Sequence, residues 1–254
     1  MFKFIAQHFV EQYSFLNLFN FITFRVGASI LTSLFFSLIF GQYIINKISK
    51  IQPIGQPIRD DGPENHIIQK AGTPTMGGVL IILSVIISLA LWADLQNSFV
   101  WIGFLTLFIF GLIGFIDDYN KIKSSSSNGL KARTRIALQI FFALIISIVI
   151  INNINDQIDT TIAFPFFKNL IVNFGYFYFV ISLFIIIGSA NAVNLTDGLD
   201  GLAIVPVMIV AMTFAFIAYV SGNIVFSDYL IISYIPGTGE LSVLCGALIG
   251  AALG

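Results

Sequence analysis

The chain has 254 residues, of which 57% are hydrophobic and 10% are charged, with a formal net charge of −1 and a mean hydropathy of +0.94. A soluble globular domain normally carries about 25% charged residues, so this composition excludes one and indicates an integral membrane protein. The near-neutral charge does not favour any class of partner.

Apolar runs close to the length of a membrane-spanning helix follow one another along the chain. They predict an all-α transmembrane bundle of about seven spans that forms a single domain over residues 1–254. No cleavable signal peptide is evident before the first run, so we expect the first helix to be retained. The predicted spans are Phe21–Ile45, Met76–Ala93, Phe99–Ile116, Ile136–Ile151, Leu170–Ala190, Leu202–Ser221 and Leu241–Gly254.

Basic residues concentrate in the loops that follow the first and third predicted spans. These two loops hold nine of the twelve Lys and Arg residues. Because short cytoplasmic loops collect Lys and Arg, we predict that residues of about 46–75, 117–135 and 190–201 face the cytoplasm and that the N-terminus lies outside. The opposite loops are acidic, with Lys168 as their only expected base; the acids are Asp94, Asp156, Asp159 and Asp228.

The polar loops and the last span each carry a local signal. Four prolines break the segment between Asn46 and Thr75, which is either an ordered active-site loop or a plain connector. The stretch Thr160–Phe164 could form a short hairpin.

In the last predicted span, glycines recur at every fourth residue and predict close packing against another helix. Cys245 in the same span is expected to have a packing role rather than a reactive one. These glycines are Gly246, Gly250 and Gly254.

Adjacent carboxylates follow the third apolar run, at Asp117 and Asp118. Placing ionised carboxylates at a membrane face costs free energy unless a cation neutralises them, and we predict that this cation is Mg²⁺. A second acidic stretch, Asn194–Gly201, precedes the sixth run and contains Asp197 and Asp200. Either stretch alone is equally compatible with ordinary turn or ion-pair structure. Together they favour one shared site for a metal ion and phosphate groups.

Cationic side chains near these acids complete the predicted site. Lys121 follows Asp118 by three residues, so it should project towards a phosphate bound there. Lys70 lies beside the glycine-rich stretch that ends at Gly78 and could meet a nucleotide or diphosphate. The other loop bases are expected mainly to satisfy the positive-inside rule or to touch lipid headgroups. A site role for His66 stays open, and His8 is expected to be inert.

Four stretches resemble the phospho-N-acetylmuramoyl-pentapeptide-transferase family, within the polyprenyl-phosphate N-acetylhexosamine-1-phosphate transferase superfamily. The resemblance runs along essentially the whole chain in order and spacing. The stretches are Arg59–His66 (RDDGPENH), Lys70–Gly78 (KAGTPTMGG), Gly114–Lys121 (GFIDDYNK) and Asn191–Gly201 (NAVNLTDGLDG).

The resemblance implies transfer of phospho-MurNAc-pentapeptide from its UDP carrier to undecaprenyl phosphate, giving lipid I and UMP in bacterial cell-wall synthesis. It implies Mg²⁺ as cofactor, and related enzymes form homodimers. Asp117 and Asp118 would bind the lipid phosphate and Mg²⁺, with Asp117 as the candidate base, while Lys121 and Lys131 would neutralise phosphate charge. The nucleotide and diphosphate pocket would be formed by Lys70, Thr75, Asn194, Asp197 and Asp200.

The family has about ten spans, with a further Asp and a His-rich segment that lack counterparts before Gly254. We therefore expect the chain to be a C-terminally truncated member. The alternatives to an active transferase are an inactive remnant or other non-catalytic membrane protein, and a related UDP-GlcNAc:polyprenyl-phosphate transferase. A solute transporter would place its acids near mid-membrane rather than at the ends of spans, so it is disfavoured.

Overall fold

The computed structural model describes residues 1–52, 75–124, 129–153, 160–164, 167, 170–196 and 201–254. The described chain is almost wholly helical. Its α-helices are α1 (Phe2–Phe9), α2 (Ile22–Ile51), α3 (Gly78–Trp92), α4 (Ser98–Ser124), α5 (Ala132–Asn153), α6 (Phe177–Thr196), α7 (Ile204–Ser221), α8 (Ile224–Leu230) and α9 (Leu241–Leu253). Short 3₁₀ helices at Ser14–Asn20 and Thr238–Glu240 precede α2 and α9.

The membrane bundle predicted from the apolar runs is confirmed. Helices α2, α4, α5, α6 and α7 are long and apolar enough to cross a membrane, and α3 and α9 belong to shorter apolar helical segments. Two helices were not expected, α1 at the N-terminus and α8 after the sixth span. Several helices also extend beyond their apolar runs, so residues 117–124 and 190–196 are helical rather than parts of loops.

The predicted hairpin near Thr160 is present, as strand β1 (Thr161–Ala163) paired antiparallel with β2 (Ile171–Asn173). The prediction that a span begins at Leu170 is therefore wrong at its N-terminal end. Asn173 explains the break, because its Oδ1 accepts hydrogen bonds from the Thr160 hydroxyl at 2.7 Å and from the Gly175 N–H at 2.8 Å. Gly175 has φ +50°, and the span begins only after it.

Serines line the contact of α2 with α3 and α9. Ser29 is 2.8 Å from Ser88 of α3 and donates to the Val243 carbonyl of α9 at 2.9 Å. Ser37 repeats the pattern two turns along, 3.1 Å from Ser84. Small hydroxyl side chains let membrane helices approach closely and join them by hydrogen bonds, since apolar burial alone gives little driving force there.

The glycine ridge of α9 packs against α2, as its spacing predicted. A Cβ at Gly246 would lie 3.1 Å from the Val26 carbonyl oxygen, and one at Gly250 would overlap the Ile30 carbonyl. Gly254 continues the contact towards Leu34. The ridge therefore seats α9 directly on the backbone of α2.

A charged network closes one end of this three-helix core. Arg25 and Glu240 are both buried and form a bidentate pair, with N–O distances of 2.7 and 2.6 Å. Lys3 of α1 pairs with Asp94 and also reaches Glu240 at 3.2 Å. Lys3 and Arg25 lie outside the loops in which Lys168 was the only expected base, since Lys3 precedes the first predicted span and Arg25 is part of it.

Candidate active site

The carboxylate pair lies at the other end of the bundle, within α4. The expectation that these acids sit at a helix end was wrong, since α4 continues for two turns to Ser124. Lys121 favours this longer helix. It follows Asp118 by three residues and Asp117 by four, so its charge compensates both carboxylates on one helix face. Its Nζ is 2.7 Å from Asp117 Oδ2 and 3.0 Å from Asp118 Oδ1.

Asp117 is the more enclosed carboxylate, with 11% of its side chain exposed. Its Oδ1 accepts a hydrogen bond of 2.7 Å from the Leu130 backbone N–H. The preceding residue, Gly129, lies so close that an added Cβ would overlap the carboxylate. The segment before α5 thus closes over Asp117 and fixes its orientation.

Asp118 is the more open carboxylate, with 29% of its side chain exposed. Its Oδ2 accepts a hydrogen bond of 2.8 Å from the Thr75 hydroxyl. Thr75 is held in turn, since its backbone N–H donates to Gln52 Oε1 at 3.0 Å. The next residue, Met76, has φ +74°, an uncommon conformation for a residue with a side chain. The ends of α2 and α3 therefore meet α4 at Asp118.

Other residues predicted for the site are not joined to the pair within the described chain. Lys131 is exposed, and its carbonyl accepts the Arg135 N–H as α5 begins. Asn194 is exposed in the last turns of α6. The predicted site residues Lys70, Asp197 and Asp200, with His66, lie outside the described residues.

Sequence reasoning missed three polar residues that connect α5 with α6. Arg135 donates to Asn191 Oδ1 at 3.3 Å, and Asn191 Nδ2 donates to Gln139 Oε1 at 2.8 Å. Gln139 carried a usable signal, because it is an uncharged polar residue within the predicted span Ile136–Ile151 and such residues usually face another helix. These contacts bring the end of α6 towards the start of α5, on the carboxylate side of the bundle.

An apolar cavity of about 380 Å³ lies between α3, α4 and α6. Gly111, six residues before Asp117 on α4, is among its lining residues. At 1.5 Å per residue, this separation corresponds to roughly 9 Å along the helix. The cavity is also lined by Ile82, Leu107, Phe110, Ile186 and Ala190.

The donor set at the pair suits Mg²⁺. It consists of carboxylate oxygens with a neighbouring hydroxyl, and Mg²⁺ is usually bound by one or two carboxylates together with substrate phosphates and waters. In the described parts of the chain no three His, Cys, Asp or Glu side chains form a metal-binding group. The two carboxylates would therefore supply only part of the coordination shell of such an ion.

Comparison with known proteins defines the class of this bundle first. The family model described as glycosyl transferase family 4 matches residues 100–254, which include the carboxylate pair. The model for phospho-N-acetylmuramoyl-pentapeptide-transferase signature 1 matches residues 70–82, which include Thr75. The two matches cover both sides of the contact between Thr75 and Asp118.

Relatives that match nearly the whole of this chain then specify the family. A phospho-N-acetylmuramoyl-pentapeptide-transferase of Pelagibacter ubique (strain HTCC1062) is 52% identical over 246 residues, which cover 96% of this chain and 68% of the relative. Its counterpart from Gluconobacter oxydans (strain 621H) is 48% identical over 254 residues, covering 100% of this chain and 70% of the relative. The chain belongs to the phospho-N-acetylmuramoyl-pentapeptide-transferase family.

Proposed function

We propose that the protein transfers phospho-MurNAc-pentapeptide from UDP-MurNAc-pentapeptide to undecaprenyl phosphate and thereby forms lipid I and UMP. In this reaction an oxygen of the lipid phosphate becomes bonded to the phosphorus attached to the sugar, and the bond from that phosphorus to UMP breaks. The observation that carries the proposal is the Asp117, Asp118 and Lys121 cluster with Thr75, at one end of a membrane bundle whose relatives bear this transferase name.

The cluster supplies groups that phosphoryl transfer needs. Catalysis of such transfers depends chiefly on positioning and on stabilising charge at the phosphate oxygens. Lys121 contacts one oxygen of each carboxylate. When its ammonium group turns to a substrate phosphate, Oδ2 of Asp117 becomes free to accept a proton. We therefore retain Asp117 as the candidate base.

Mg²⁺ is the proposed cofactor, with Asp118 as its principal ligand because that carboxylate is the more exposed of the two. Asp117 is the second candidate ligand. When bound, the ion would offset negative charge on the phosphate oxygens. Thr75 keeps Asp118 oriented through its hydroxyl, at 2.8 Å from Oδ2.

The remaining predicted residues keep their proposed roles around this centre. Lys131 would neutralise phosphate charge. The nucleotide and diphosphate pocket would combine Thr75 with Lys70, Asn194, Asp197 and Asp200. The apolar cavity beside α4 offers the polyprenyl chain a lipid-like surface close to the carboxylates.

We also propose that the site faces the cytoplasm. The helix ends around it carry most of the described basic residues, and short cytoplasmic segments collect Lys and Arg. These residues are Lys47, Lys50, Lys121, Lys123, Lys131, Arg133 and Arg135. This orientation gives the site access to a soluble nucleotide sugar. A homodimer stays a prediction from the family resemblance.

UMP release from UDP-MurNAc-pentapeptide and undecaprenyl phosphate in the presence of Mg²⁺ tests the proposal. Asp118→Asn and Asp117→Asn should each lower kcat by about 10²-fold or more, because each removes a charge that orders the phosphate site. Asp228→Asn is the matched control, since Asp228 is exposed on α8. Unchanged turnover in both site variants would contradict the site assignment, and UMP release with UDP-GlcNAc instead would redirect the substrate assignment.

A further inference from the structure

A polar network links α5 with α6 beside the carboxylate site. It consists of Arg135, Asn191 and Gln139, whose contacts are described above. Gln139 is buried, with 5% of its surface exposed. Buried polar side chains are held by specific hydrogen bonds, so this network has one preferred arrangement.

The side-chain amide of Asn191 is oriented from two directions. Its Nδ2 donates to Gln139 Oε1 and to the Ile187 carbonyl, both at 2.8 Å. A primary amide has two N–H donors at one end and an acceptor oxygen at the other. Because both donors are engaged, Oδ1 faces Arg135. Without the Gln139 acceptor, the amide can turn and present N–H groups to the cation instead.

Arg135 is the charged member of the network. It lies in the first turn of α5, five residues after Leu130, whose backbone N–H donates to Asp117. Its Nε is buried and has no hydrogen-bond partner among the residues that the structure describes. A buried donor beside a carboxylate site indicates that an acceptor group belongs there. The planar guanidinium fork matches the oxygens of a phosphate.

We propose that Gln139 is a positioning residue, which acts through Asn191 to hold the guanidinium of Arg135 where it binds a substrate phosphate group. This inference rests on the proposed function, since it takes a phosphate-bearing substrate as the ligand. The phosphate belongs to the nucleotide sugar or to the polyprenyl phosphate, and the KM that changes distinguishes the two sources.

The test compares three variants of the whole protein in lipid nanodiscs. Gln139→Leu removes the acceptor that orients Asn191, whereas Gln139→Glu retains an acceptor oxygen at the same place. Ser147→Ala is the matched control, because Ser147 is also buried on α5 and joins it to Ser182 of α6 at 2.9 Å. Ser147 lies eight residues beyond Gln139, about 12 Å further along the helix.

Two readouts are measured, the kinetics of UMP release with each substrate varied and the Kd of UDP by calorimetry. Gln139→Leu should raise KM for one substrate about tenfold, as expected for one misdirected charge-assisted hydrogen bond. Kd of UDP should rise equally if that substrate is the nucleotide sugar, and stay unchanged if it is undecaprenyl phosphate. Gln139→Glu and Ser147→Ala should stay within about twofold of the wild type. In an Arg135→Ala background, Gln139→Leu should add nothing.

The inference falls if Gln139→Leu behaves like Ser147→Ala, or if its effect adds fully to that of Arg135→Ala. It also falls, while the proposed function stands, if Gln139→Leu releases UMP with both KM values unchanged. A wild-type protein that binds UDP in a Gln139-dependent way without releasing UMP would support the inference and refute the proposed function. Failure of the wild type both to bind UDP and to release UMP overturns both.

Discussion

Gly129 lies against the Asp117 carboxylate, and the close approach explains why this position lacks a side chain. A Cβ built there would be 2.7 Å from Asp117 Cγ. The approach brings the N–H of the following residue, Leu130, to 2.7 Å from Oδ1. The orientation of Asp117 therefore depends on a contact that only glycine permits.

Gly129→Ala should lower kcat for UMP release by about 10²-fold, because it displaces a carboxylate that must be held within about 1 Å of its working position. The measurement is turnover together with thermal unfolding in detergent, and the midpoint should change little. Gly114→Ala on α4 is the control, since its new Cβ would meet nothing within 4 Å. Equal loss of activity in the two variants would contradict the explanation.

Glycines along one face of α9 let it approach the backbone of α2 closely, and serines on the facing surface of α2 add hydrogen bonds. Gly250 is the tightest of the ridge positions, because an added Cβ would overlap both the Ile30 carbonyl and the Ser33 hydroxyl. A rigid helix backbone cannot yield as the end of a side chain does. The packing of these two helices is thus tightest at Gly250, with a further close contact at Gly254.

Gly250→Ala should destabilise the bundle by about 1–3 kcal/mol, the usual cost of overfilling a packed interface. Reversible unfolding in mixed detergent measures this change. Gly27→Ala is the matched control on α2, because its Cβ would lie in open space. A change at Gly250 no larger than that at Gly27 would show that the helices can separate at little cost.

At the scale of the whole molecule, the two charged clusters that the structure describes lie at opposite ends of the bundle. The carboxylates of α4 differ in exposure, with 11% of the Asp117 side chain and 29% of the Asp118 side chain exposed, and both contact Lys121. At the far end Arg25 and Glu240 are almost fully enclosed, so their pairing joins α2 to the segment before α9. Lys3 and Asp94 extend this network to α1 and to the turn after α3.

Arg25→Met should destabilise the protein by about 3–5 kcal/mol, because it leaves the buried Glu240 carboxylate without its principal partner. The double variant Arg25→Met with Glu240→Leu should recover part of the loss, since neither charge is then buried unpaired. Unfolding midpoints of the three proteins measure both effects. A double variant less stable than Arg25→Met would contradict this account.

The pH dependence of stability should report the Lys3 contact with Asp94. Burial opposes ionisation of Asp94, but hydrogen bonds from Lys3 and from the Gln96 N–H, with the charges of Lys3 and Arg25, together outweigh burial and hold its pKa below the ordinary 3.8. Its stabilising contribution is therefore present above pH 3.8 and is lost as the pH falls through the lowered value. Asp94→Asn should lower the unfolding temperature at pH 7, and the difference should vanish in acid. Lys3→Met should show the same trend. A difference in unfolding temperature from the wild type that stays constant with pH would exclude the Lys3–Asp94 pair as its source.

Local sequence information was enough to locate the long apolar helices and the main acidic pair. Apolar runs located five helices that are long enough to cross a membrane and two shorter apolar helices, because membrane helices must satisfy their backbone hydrogen bonds internally. The bounds of the spans were less well predicted. Asp117 and Asp118 follow the apolar run and so predict the end of a helix, but Lys121 compensates their charges and α4 continues past them. The strand at Ile171–Asn173 falls within a predicted span because its apolar residues suit either a strand or a helix.

The sequence by itself determined the membrane class, the family and the carboxylates of the candidate site, because composition, apolar runs and motifs are recognised from residues that are close together in the chain. Only the tertiary structure decided which groups meet. Thr75 and Asp118 are 43 residues apart in the chain, Gln139 and Asn191 are 52 apart, and Arg25 and Glu240 are 215 apart. Such pairs form because helix packing brings them together, and no local pattern specifies a partner on another helix.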